Sequence, residues 1–122
     1  MITLPAYTFL HIVAAFLVFF GFGMSLFQNK VDEAARKTLR LWTGVLHGAG
    51  LLLLLVAGFG LLARMGIHWP WPGWVWGKVL IWLALGFMIA VYKREWAGEI
   101  ARMGAVLGLG ALAVYLAIFK PF

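Results

Sequence analysis

Three side chains able to bind a cofactor or carry a proton fall inside otherwise apolar stretches: His11, His47 and Lys78. An ionisable group at membrane depth is rare and marks a functional candidate. Imidazole can coordinate a metal or a haem iron, and a lysine amine can pair with a carboxylate. On a different segment, Met65 and His68 sit three residues apart and offer a thioether and an imidazole, a pair suited to copper. Two ligands alone do not complete a metal site. With no cysteine there is no thiolate ligand, iron–sulfur cluster or disulfide. The common hydrolytic and phosphate-binding motifs are absent too. The chain has no HExxH and no glycine loop ahead of a lysine, and Ser25 is its sole serine. No carboxylate lies within an apolar stretch, so a carboxylate-based proton pathway lacks its usual carrier.

The elements that must position these groups follow from composition. The chain has 122 residues, 65% hydrophobic and 11% charged, against about 25% charged in soluble domains. That excludes an ordinary soluble enzyme and a disordered module. Four apolar stretches, at about 4–27, 41–62, 75–92 and 103–119, approach the ~20 residues needed to span a bilayer. Their short connections predict an all-α, integral membrane four-helix up-down bundle in a single membrane domain. The net charge of +6 is then no nucleic-acid footprint, because what matters is which side holds the basic residues. Lys30, Arg36, Lys37, Arg40, Lys93, Arg94 and Arg102 fall on one side; Arg64, Lys78 and Lys120 fall on the other. The asymmetry predicts a multi-pass protein with the first and third loops in the cytoplasm and both termini outside. The first span lacks a preceding basic residue and a small-residue cleavage site, so it reads as retained.

Within the second loop, Pro70 and Pro72 interrupt helical continuation, while Trp69, Trp71, Trp74 and Trp76 suit an aromatic belt at the outer interface. Trp42 and Trp96 suit the inner one. Residues 31–39 read as a short helix lying along the inner surface, its basic side chains facing anionic lipid.

Small residues mark the faces on which membrane helices approach one another. His11, Ala14, Val18, Gly21 and Ser25 form such a stripe in the first span; Thr43, Gly44, His47, Gly50, Leu54 and Gly58 form one in the second. Gly104 and Gly108 make a GxxxG pair in the fourth. Both histidines therefore lie on packing stripes, as helix–helix hydrogen bonds or as ligands. At ~1.5 Å per residue, His11 and Lys78 share a level on the outer side, while His47 is offset from His11 by roughly 14 Å. That offset disfavours a haem held between the two histidines.

The motif Phe9-Leu10-His11-Ile12, the glycine-rich second span, the tryptophan-bearing loop and Trp76-Gly77-Lys78-Val79-Leu80 together resemble three kinds of small bacterial membrane protein. These are the SirB-like proteins, the HemJ-type protoporphyrinogen oxidases and the membrane domain of copper-resistance D proteins. The resemblance covers most of the chain and rests on few residues. It implies haem b or a related porphyrin as cofactor, with His11 and Lys78 at the positions associated with haem binding and activity; His47 is a further candidate. The first span ends Met24-Ser25-Leu26-Phe27, without the proline–arginine of the HemJ type, and Tyr92 stands near the end of the third span where that type has a histidine. These departures count against protoporphyrinogen oxidation and leave a SirB-like or other membrane protein as the reading. Three readings stay open: a tetrapyrrole-binding redox protein, a copper-handling protein, and an accessory subunit or homo-oligomer within a larger membrane complex.

Overall fold

A computed structural model describes residues 3–91 and 98–122. Those residues form four helices and no strand: α1 (Leu4–Ser25), α2 (Glu33–Arg64), α3 (Gly73–Val91) and α4 (Glu99–Phe119). Three segments are long and apolar enough to cross a membrane: α1 with the 3-10 turn that follows it (Leu4–Lys30), α2, and α4. The apolar run Gly73–Met88 of α3 is shorter. Tyr92, Lys93, Arg94 and Trp96, all used in the reading above, lie outside the described residues.

Local chemistry sets the helix ends. The Thr3 hydroxyl accepts the Ala6 N–H and Pro5 occupies the first turn of α1, both favourable where backbone donors lack helical partners. At the other end Ser25 returns its hydroxyl to the Phe22 carbonyl, and a 3-10 turn over Gln28–Lys30 follows. Asp32 caps α2 by accepting the Ala35 N–H at 2.8 Å. Gly66, with φ +74°, follows the C-cap of α2 in a conformation that a side chain would strain. One expectation is corrected here: residues 31–39 form no separate surface helix. From Glu33 the chain runs on as a single 32-residue helix, because no Gly or Pro interrupts it before Gly44.

The chain divides into two compact units, Met1–Gly66 and Ile67–Phe122. In the first, α1 and α2 pack antiparallel. A Cβ placed on Gly21 would lie 2.9 Å from the His47 backbone nitrogen; one on Gly50 would lie 2.9 Å from the Val18 nitrogen. Each helix thus contributes one glycine at which the two backbones touch. Ala14, Val18, Phe22 and Ala57 are buried around these points. Nearer the open end, the Tyr7 ring covers Gly60. Gly44, assigned above to the packing stripe, faces open space.

In the second unit the start of α3 meets the end of α4. The Trp74 N–H donates to the Phe122 carbonyl at 3.0 Å, the Phe122 ring lies over Gly73, and Leu116 packs on Gly77. The glycine pair that makes this contact is therefore Gly73 and Gly77 on α3. Gly104 and Gly108, expected to form it, are exposed and meet nothing within 4 Å. Two more corrections concern this unit. Trp74 is buried beneath Lys120, whose amine lies 5.4 Å from the ring centre, so it takes no part in an outward-facing belt. Arg102, one of the seven basic residues expected on the same side, outside the apolar stretches, stands within α4 and is 3% exposed.

Candidate functional site

The polar residues inside the first unit lie along the α1–α2 interface, and each level of that interface uses them differently. His47 is 1% exposed, and its Nδ1–H donates to the Val18 carbonyl at 3.0 Å. A carbonyl only accepts, so the proton on this bond belongs to the imidazole. The same bond orients many metal-binding histidines. Here, however, burial leaves no edge of the ring open to a bulky cofactor, and the contact ties one helix to the other.

His11 stands at a different level, half-buried on α1, with its Cε1 3.4 Å from where a Cβ on Gly58 would be. Gly58 is eleven residues beyond His47 in α2, which separates the two levels by about 16 Å. The two histidines therefore do not face each other. Gly58 supplies the flat space in which the His11 ring rests, so the glycine has a function at that position that the stripe pattern left unspecified. Lys78 belongs to the second unit, half-buried in the second turn of α3.

Around the second loop, Trp69, Trp71 and Trp76 form a closed triangle with ring centres 5.4, 5.7 and 5.2 Å apart. Trp69 meets the other two rings edge to face and Trp71 lies tilted on Trp76, so the three rings satisfy one another's quadrupoles as a cluster. Met65 is the C-cap of α2 and His68 is exposed. Among the described residues, no group of three or more His, Asp or Glu side chains is placed to hold a metal ion.

Sequence reasoning missed the polar cluster at the turn between α1 and α2. Gln28, only 3% exposed, is clasped by two arginines from the first two turns of α2. Arg36 Nε donates to the Gln28 backbone carbonyl at 2.8 Å, and Arg40 Nε donates to its side-chain Oε1 at 3.2 Å. Arg36 also reaches the Val31 carbonyl at 3.4 Å. A signal was present. Gln28 is the chain's one glutamine, and arginines eight and twelve residues later share a helix face.

Comparison with family models, with curated proteins and with solved structures finds no match to this chain.

Proposed function

We propose that the chain is a multi-pass protein of a bacterial inner membrane that holds a haem or related porphyrin through His11. The observation that carries this reading is the setting of His11: half-buried, seated against Gly58, and far along the helix from the buried His47. An imidazole in that setting fits a single axial ligand. Haem would supply one-electron chemistry there, while the protein supplies the ligand and an apolar surround. Lys78 enters through the resemblance alone. We read all four helices as crossing the membrane in alternating directions with both termini outside, an orientation supported by the basic asymmetry; the lengths of α1, α2 and α4 support crossing by those three.

The visible spectrum of the purified protein, before and after haem supplementation, tests the cofactor. A Soret band that His11→Ala removes supports the reading. No band in the supplemented parent overturns it, as does an unchanged band in His11→Ala. Lys78→Met is expected to weaken retention. Orientation is tested separately with an impermeant thiol reagent applied to intact cells. A cysteine replacing the exposed His68 should label and one at Ala34 should not; the opposite pattern overturns the topology.

A second reading, an accessory subunit that packs on a partner helix, is favoured by the open, exposed Gly104–Gly108 face of α4. A colourless protein that copurifies with a membrane partner through that face supports it.

A further inference from the structure

The clasp on Gln28 brings two cations to one place. Arg36 and Arg40 stand one turn apart on α2, and both guanidinium groups are held by the oxygens of a single buried residue. Lys37 lies beside them on the same two turns and Lys30 in the preceding 3-10 turn. Of the neighbouring carboxylates, Asp32 is engaged at the Ala35 N–H and Glu33 is exposed in the first turn of α2. Like charges held on adjacent turns repel, and an anion between them relieves the repulsion. Because each Nε is already engaged and Arg36 Nη2 reaches the Val31 carbonyl, both guanidinium planes are oriented before any ligand arrives, leaving Arg36 Nη1 and the two terminal nitrogens of Arg40 to meet it. This is the geometry in which arginine recognises phosphate.

Position identifies the source of the phosphate. The apolar run 41–62 of α2 begins at the residue after Arg40 and rises about 33 Å, close to the hydrocarbon thickness of a bilayer. Since α2 continues unbroken through residues 33–40, Arg40 stands at the hydrocarbon edge and Arg36 about 6 Å beyond it. That is the depth of the headgroup phosphates.

We propose that Arg36 and Arg40, held in place by Gln28, bind the phosphate of an anionic phospholipid headgroup. The inference rests on the membrane reading above and not on the tetrapyrrole. Gln28 is a positioning residue: it touches the guanidinium groups and not the lipid.

The test is native mass spectrometry of the full chain released from nanodiscs of equal phosphatidylglycerol and phosphatidylcholine. The parent is expected to retain phosphatidylglycerol at least fivefold over phosphatidylcholine. R36Q/R40Q should abolish the preference, and Gln28→Ala should reduce it while all basic residues remain. Arg64→Gln, at the far end of α2, should leave it unchanged. Ten millimolar inorganic phosphate should not displace the lipid; displacement would assign the site to free phosphate and overturn the lipid source. Equal retention of both lipids by the parent overturns the site even if the double variant fails to fold, and so does an unchanged preference in a folded R36Q/R40Q. Alkaline extraction of membranes separates this failure from that of its premise. A chain released to the supernatant overturns the membrane reading itself, whereas one that stays in the pellet without lipid preference overturns only the arginine site.

Discussion

The imidazole of His47 and the carbonyl of Val18 meet at 3.0 Å across the α1–α2 interface, beside a glycine contact on each helix. The bond therefore sits where the two backbones are already as close as helices can come. Val18 is fully buried, so the pair is shielded from competing water. Removing the ring leaves both a lost hydrogen bond and a void. His47→Ala is expected to destabilise the hairpin by about 2–4 kcal/mol, the sum of a buried hydrogen bond and a cavity. Thermal unfolding in detergent checks it. His47→Ala should lower Tm more than His11→Ala, measured without cofactor.

Gly21 and Gly50 are expected to tolerate no side chain. At Gly21 the nearest obstacle is the His47 backbone nitrogen, and at Gly50 the Val18 backbone nitrogen is as near as its Cγ2; backbone cannot rotate away as a side chain can. Gly50→Ala should cost about 1–3 kcal/mol through forced separation of the helices. Gly48→Ala, on the open side of the same helix, should be neutral or stabilise by up to about 1 kcal/mol through helix propensity. Denaturant titration followed by circular dichroism compares them.

Sequence alone made most of this hairpin legible. The spacing of Ala14, Val18, Gly21 and Ser25 marks the buried stripe of α1, and Thr43, His47 and Gly50 mark that of α2. Small-residue periodicity misleads on the other helix pair for a physical reason. Gly104–Gly108 and Gly73–Gly77 are equivalent as patterns, and only the rings that arrive opposite, Phe122 in particular, decide which pair is covered. Of the Gln28 clasp, the shared helix face of Arg36 and Arg40 is legible, whereas the turn that brings Gln28 to that face is encoded by no periodicity. The setting of His11 was half legible: its stripe was visible, and the glycine beneath its ring was not assigned to it.

For the same reason Gly77→Leu should disturb the α3–α4 contact and Gly108→Leu should not. The Cβ at Gly77 would come 2.9 Å from Leu116 Cδ1, whereas Gly108 has open space. Protease resistance of the purified chain measures the first effect. An equal loss on Gly108→Leu would show that α4 is covered on that face in solution.

Lys120 ends α4 with φ 45°, a left-handed conformation that costs a side-chain residue roughly 1 kcal/mol, and its amine lies over Trp74. Lys120→Gly relieves the backbone and gives up the cation–π contact, so stability should change little. Lys120→Ala gives up the contact and keeps the strain. It should be less stable than the glycine variant by about 1 kcal/mol, measured as a difference in Tm.

The unbroken length of α2 has a mechanical consequence. A 32-residue rod capped at Asp32 and tied to Gln28 cannot shorten to suit a thinner bilayer. On the membrane reading proposed above, it adapts by tilting. Because α1 touches it backbone to backbone at Gly21 and Gly50, the two helices must tilt as one body. Changes in bilayer thickness would then reach His11 as a change in its depth, while its seat on Gly58 stays fixed.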